Sequence, residues 1–321
     1  MDPLFGSVDL GGTNTVCALA TAAGEVAAEC ALPTEPYQGP AAVLDRIAAA
    51  LEALARQTGA APAAIGMGMP GLVDRARGVT LFLPNLPTQW RGVDAAARIS
   101  SRLSCPVYLL NDVRAATLGE LVYGRGRGAA TMLFFAIGTG VGGGVVVDGR
   151  LRLGPLGAAG EMGHQTIVPD GRRCGCGSRG CLETLASGPA ITAEGVWLML
   201  AGRAPRLYEI CAGNPAAVTP RRIAEAALAG DDAVREAIDR IAVYLSIAIS
   251  NVVQALHPDL VVIGGGVSGM GPALLEPVRR DLHSRIGIFP ADNLPIETSA
   301  LGDRAGLYGG VALAARAGKL E

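Results

Sequence analysis

A chain of 321 residues exceeds the size at which one hydrophobic core keeps growing, so two lobes are expected. Half of the residues are hydrophobic but only 4% are aromatic, which leaves the core to be built from Ala, Val, Leu and Ile. A net charge of -2, a pI near 6.0 and the lack of any Lys/Arg-rich run exclude a general attraction to nucleic acid or anionic lipid.

The chain opens Met-Asp-Pro-Leu-Phe-Gly-Ser, without a basic segment ahead of an apolar one, and this reads as a cytosolic protein. Leu4 to Leu10, Thr15 to Ala20 and Glu25 to Ala31 read as three strands separated by Gly-Gly-Thr-Asn and Ala-Ala-Gly. Pro40 to Gln57 places Val43, Leu44, Ile47, Leu51 and Leu54 on one helix face that should cover this meander. Ala63 to Met69 and Val107 to Leu110 are short apolar runs ending in Pro70-Gly71 and Asn111-Asp112, as central strands that deliver a site at their C-terminal ends would. After Gly124-Arg-Gly-Arg-Gly128 the pattern restarts with strands Thr131 to Ile137 and Val141 to Val147 around a Gly-Thr-Gly turn. Thr13 and Thr139 thereby occupy equivalent settings in two related halves. Mostly helical sequence follows from Leu182 to Leu256, then a strand Asp259 to Ile263, a helix Pro272 to Leu282 and a last helix from Ala305. The lobes are expected at 1–112, with 305–321 returning to it, and at 113–304.

Neither long apolar stretch fits a membrane span of about 20 residues. Met132 to Val147 is broken by five glycines, and Ile241 to Leu256 carries Ser246, Ser250, Asn251 and Gln254 along one side.

Asp9-Leu-Gly-Gly-Thr-Asn14 lies between two strands, where glycines can turn tightly and offer backbone N–H groups to an anion. It lacks the lysine and following helix of a Walker loop. Gly138-Thr139-Gly140 and Gly264-Gly265-Gly266 are a second and third Gly-rich turn after strands, and together they point to a nucleotide. Gly11, Gly12, Thr13 and Asn14 are expected at the terminal phosphates of ATP and Thr139 with Gly140 at the inner ones. Gly264, Gly265 and Gly266 would let adenine lie against the backbone. Asp9 stands at a strand end, where a carboxylate can hold Mg²⁺.

Asp112 lies between a strand and a helical run, a place where Asx residues usually cap helices. Beside phosphate turns it is instead expected to accept a proton from an attacking hydroxyl. Asn111 and Asn85 offer paired donors and acceptors to sugar hydroxyls, with turn formation as the competing reading.

Gly160-Glu-Met-Gly-His164 precedes Cys174-Gly-Cys176-Gly-Ser-Arg-Gly-Cys181-Leu-Glu183. His164, Cys174, Cys176 and Cys181 make a closed four-ligand set suited to structural Zn²⁺. With one imidazole nitrogen on zinc, the other is fixed as a donor toward a sugar hydroxyl. Glu161 and Glu183 flank the cluster and are expected to grip vicinal hydroxyls.

Together these motifs resemble the ROK family of bacterial sugar kinases and related repressors, from Asp9 to the final helix. The Asp9-x-Gly-Gly-Thr motif is widely shared with actin-like and hexokinase-like ATPases, whereas Gly-Glu-x-Gly-His164 followed by Cys-Gly-Cys-Gly-x-x-Gly-Cys-x-Glu183 is close to diagnostic. The resemblance implies an α/β, two-lobed, actin-like (ribonuclease H-like) ATPase fold with a central cleft and a zinc loop at 160–183. It implies Asp112 as base, sugar contacts from Asn85, Asn111, Asp112, Glu161, His164 and Glu183, and a homodimer or homotetramer. The expected reaction is phosphorylation of the glucose 6-hydroxyl by ATP. Alternatives are a kinase for N-acetylmannosamine, N-acetylglucosamine or another hexose, a sugar-responsive regulator, and an inactive sugar sensor. Three positions depart from the family pattern. Asn14 stands where many relatives have Lys, Val113-Arg114 replaces Ala-Asn and is expected to set a cation beside the cleft, and Gly309-Gly310 replaces Gly-Ala at a cost in helix propensity.

Overall fold

The computed structural model describes residues 2–291 and 293–320, and its internal contacts divide the chain into two units. The first runs to Ala129, takes in Gly144–Ala159 and closes with the segment from Ala300; the second comprises Ala130–Gly143 and Gly160–Ser299. In chain order the early elements are β1 (Leu4–Leu10), β2 (Asn14–Thr21), β3 (Val26–Pro33), α1 (Pro40–Thr58), β4 (Ile65–Met69), β5 (Leu72–Asp74), β6 (Val79–Phe82), α2 (Ala95–Leu103), β7 (Val107–Asn111) and α3 (Asp112–Tyr123). The chain continues through β8 (Met132–Ile137), β9 (Val141–Val147), β10 (Arg150–Arg152), α4 (Glu183–Ala186), α5 (Gly188–Leu200), α6 (Pro205–Ile210) and α7 (Pro220–Leu228). It ends with α8 (Asp232–Leu256), β11 (Leu260–Gly264), α9 (Pro272–Arg285), β12 (Ile296–Thr298) and α10 (Ala305–Ala315).

The first unit is built on a sheet of order β3-β2-β1-β4-β7. Its opening strands form an antiparallel meander, and β4 pairs in parallel with β1 and β7. Every residue of β4 is buried, as a central strand covered on both faces requires. One cover is α1, whose Val43, Leu44, Ile47 and Leu51 enter the same core as Val8, Met67 and Leu109. The other is α10, where Leu307 and Val311 meet Ala18 and Ala20. Here Gly309 and Gly310 have a packing role. A Cβ on Gly309 would overlap the Ala115 carbonyl, and one on Gly310 the Ser7 hydroxyl. The lost helix propensity, about 1 kcal/mol per glycine, is therefore exchanged for close approach of α10 to α3 and β1. Gly119 meets α10 from the other side, with Ala305 O in the place of its Cβ. This packing keeps α3 in the first unit, which extends past the division expected at Asp112.

The second unit holds strands in the order β9-β8-β11-β12, with β11 parallel to both β8 and β12. The expected internal repeat is visible in topology. In each unit a strand, a Gly-rich turn and a second strand lie beside a parallel strand, as β2-β1-β4 and as β9-β8-β11. The end of β9 continues into the first unit, where Val145 to Val147 pair with β10. The long α8 buries Ile241, Leu245, Ile249 and Val253, and no helix of the described residues is long and apolar enough to cross a membrane.

Candidate functional site

In the first unit the parallel strands end at a pair of carboxylates. Asp9 is registered with Gly68 of β4, which is in turn registered with Leu110 of β7, so Asp112 follows two residues beyond that row. A Cβ on Gly68 would lie 3.6 Å from Asp9 Oδ1 and 3.5 Å from the Asp112 Cα. The two acids thus flank one glycine. Burial pushes Asp112 up to about 7, and the nearby Asp9 charge adds to this, against the Val113 N–H and the Arg114 guanidinium. Burial alone pushes Asp9 up to about 6. Carboxyls that titrate this close to neutrality at the ends of central strands are marks of a functional site.

Asp112 does not cap its helix. Asn111 does, with its side-chain oxygen accepting from Arg114 N at 3.1 Å. The Asn111 amide donates to Asp112 Oδ1 at 2.9 Å and to Gly71 O at 3.2 Å, and the Val113 N–H also reaches Oδ1 at 2.9 Å. Both of these donors fall on Oδ1. Arg114 corrects an expectation: it is 2% exposed and presents no free cation to a ligand. Its guanidinium donates to Asn111 Oδ1 and to the Ala159 carbonyl, both at 3.1 Å, and so anchors the residue that orients Asp112.

The turn of residues 11–14 is closed by Gly11 N donating to Asn14 O at 3.0 Å. Buried Thr34, just beyond β3, donates from its hydroxyl to Gly11 O at 2.7 Å and shares a hydrogen bond with Thr15, while its own N–H reaches Thr13 O. Gly12, Thr13 and Asn14 stay exposed above this latch, with open space where a Gly12 Cβ would lie. Gly306 at the start of α10 faces the Asp9 carboxylate so closely that a Cβ there would overlap it. Asn85 is exposed between β6 and the 3-10 turn Pro87–Trp90, where Thr88, Gln89 and Trp90 all have positive φ.

In the second unit the Gly138-Thr139-Gly140 turn borders a cavity of about 760 Å³. Thr139 and Gly266 line it together with Gly188, Pro189, Thr192 and Ala193 from the first turns of α5. Pro220 and Val267 complete an uncharged, mostly apolar wall, and the size falls within the usual range for a small-molecule site. The three consecutive glycines have separate duties. Gly264 and Gly265 press against Phe134 and the Ile137 backbone, with Gly265 at φ 78°, and Gly266 alone opens to the cavity.

The ligand atoms of His164, Cys174, Cys176 and Cys181 all lie within 4.8 Å of one another. Cys176 Sγ and Cys181 Sγ are 3.7 Å apart, as are Cys174 Sγ and His164 Nδ1. Zn–S bonds of about 2.3 Å arranged tetrahedrally have edges of about 3.8 Å, so the donor set fits a closed zinc site. Nδ1 faces the sulfurs, and Nε2 points the other way, 3.8 Å from Glu161 Oε2. The hairpin is held by Cys174 N to Ser178 O and by pairing of Thr166 with Cys181 and of Arg173 with Arg179. Glu183 at the start of α4 accepts the Val141 N–H at 3.0 Å, beside the Gly-Thr-Gly turn.

Each unit therefore gathers part of the expected set: Asp9, the 11–14 turn, Asn111 and Asp112 in one, and Thr139, Gly140, Gly266, the metal cluster, Glu161 and Glu183 in the other. Thr34, Gly306 and the α5 residues of the cavity are not singled out in the sequence, because their partners lie elsewhere in the chain; Arg114 is singled out, but for a different role.

Residues 5–317 match the model of the ROK family. The glucokinase of Halalkalibacterium halodurans is 36% identical over 318 residues, covering 96% of this chain and 94% of that protein. The ROK family glucokinase of Streptomyces griseus, solved with glucose and AMPPNP, superposes with a TM-score of 0.84 at 32% identity over 98% of this chain and 99% of that one. The xylose repressor of Caldicellulosiruptor bescii is 35% identical over 249 residues, 78% of this chain but 61% of the repressor.

Proposed function

Because the chain belongs to the ROK family, with its actin-like ATPase fold, we propose that it is a glucokinase that transfers the γ-phosphoryl group of ATP to the 6-hydroxyl of glucose. The observation that carries this reading is the carboxylate pair: Asp112, pinned through one oxygen by Asn111 and Val113 and titrating near 7, stands beside Asp9 across Gly68. A base of this kind takes the hydroxyl proton as the sugar oxygen attacks phosphorus in line, and the bond from phosphorus to the β-phosphate oxygen breaks to leave ADP. Asp9 is the residue to hold Mg²⁺, which when bound neutralises charge on the transferring phosphates. The exposed amides of the 11–14 turn face the terminal phosphates, Thr139 and Gly140 the inner ones, and the cavity bordered by Gly266 takes adenosine. Asn14 serves at the terminal phosphates as a neutral donor.

On the sugar side, Asn85, Asn111, Glu161, His164 and Glu183 are assigned to the hydroxyls. His164, Cys174, Cys176 and Cys181 hold structural zinc, and Nδ1 ligation leaves His164 Nε2 as an oriented donor. A cytosolic homodimer or homotetramer completes the reading. ADP release measured over glucose, mannose, fructose, allose and the N-acetylhexosamines tests it. Turnover is expected with glucose, and turnover confined to an N-acetylhexosamine would transfer the same chemistry to a different sugar and end the glucokinase reading.

A further inference from the structure

Glu183 touches two features that sugar binding alone does not require. Its Oε2 accepts the N–H of Val141, the residue that follows the Gly138-Thr139-Gly140 turn. Its Oε1 lies 3.7 Å from Cys174 Sγ, a member of the metal cluster. A Cβ on Gly140 would overlap Oε2, so the turn closes directly over this carboxylate. The turn's other ties are Gly138 N to Gly140 O at 2.9 Å and Gly188 N to Gly138 O at 2.8 Å, both between backbone groups. Among the described hydrogen bonds, the one from Val141 to Glu183 joins this turn to a side chain of the metal segment. A charge-assisted bond of this type fixes the direction of the peptide that leaves the turn.

We infer that Glu183 is a positioning residue for the phosphoryl donor, transmitting the order of the metal cluster to the Gly138–Gly140 turn. This rests on the kinase reading above, in which that turn meets the inner phosphates. The donor site is then preformed only when the cysteine and histidine ligands are in place, and the metal loop serves both substrates.

The test is AMPPNP binding with Mg²⁺ and no sugar, measured by calorimetry on the zinc-loaded wild type and on Glu183→Ala, Glu183→Gln and Cys176→Ala. Glu183→Ala is expected to weaken AMPPNP about 10-fold or more. Glu183→Gln, which keeps an acceptor oxygen for Val141, is expected to lose less than about 3-fold, and Cys176→Ala should resemble Glu183→Ala. Unchanged AMPPNP affinity in Glu183→Ala, with glucose affinity lost, would make Glu183 a sugar ligand only and overturn the inference. If Glu183→Ala does not fold, Glu183→Asp takes its place with the same expectation, since the shorter side chain withdraws the acceptor oxygen from the Val141 N–H. A folded, zinc-loaded wild type that binds no AMPPNP would instead sink the kinase reading, a result distinct from normal wild-type binding with unaffected variants.

Discussion

Asp112→Asn, read across pH, probes the carboxylate pair most fully. With Asp112 titrating near 7 by burial and the neighbouring Asp9 charge, about a tenth of the free enzyme is ionised there at pH 6, half at pH 7 and nine-tenths at pH 8. The wild-type kcat/KM should therefore climb about five-fold from pH 6 to 7 and less than about two-fold from 7 to 8, if the carboxylate is the base. Asp112→Asn should lose about 10²–10⁴ in kcat and flatten that limb. The same shift has a stability consequence of opposite sense. A carboxyl whose folded pKa lies above its unfolded value binds more protons when folded, so its contribution weakens as pH rises from near 4 to near 7. From 3.8 to about 7 this amounts to at most about 4 kcal/mol, an upper bound because part of the Asp112 surface still meets water. The ligand-free Asn variant should accordingly melt higher than wild type at pH 8 and no higher at pH 4. A wild-type profile flat from pH 6 to 8, or an Asn variant less stable than wild type at pH 8, would refute the reasoning.

Gly306→Ala places a methyl group against the Asp9 carboxylate. It should raise the Mg²⁺ concentration needed for half-maximal rate with little change in the KM for glucose, as a metal titration of initial rates will report. Arg114→Ala leaves Asn111 Oδ1 and the Ala159 carbonyl without their guanidinium partner, and denaturant unfolding should show a loss of about 2–4 kcal/mol. Elemental analysis should find about one zinc per chain, and Cys176→Ala should lose it together with about 10–100-fold in glucose affinity.

The parts of this fold legible in sequence are those whose physics is local. Strand-turn-strand patterns around Gly11 and Gly138, and the cluster of one histidine and three cysteines between His164 and Cys181, announce themselves within short windows because the chain itself brings those groups together. The hairpin of β5 and β6 and helix α2 lacked comparably strong patterns. The remainder depends on encounters that spacing does not encode. Gly306 meets Asp9 from nearly the far end of the chain, and Gly309 and Gly310, which look like poor helix residues, are explained by the carbonyl and hydroxyl they approach. Arg114 looks like a free cation until its partners at Asn111 and Ala159 are known. Asp112 looks like a cap because Asx residues before helices usually are, whereas Asn111 performs that task.

The most direct test of the central claim is product analysis with glucose and Mg·ATP. The account predicts equimolar ADP and glucose 6-phosphate from the wild-type protein and almost none from a folded Asp112→Asn variant. Phosphorylation at another hydroxyl, or equal rates from the two proteins, would contradict it.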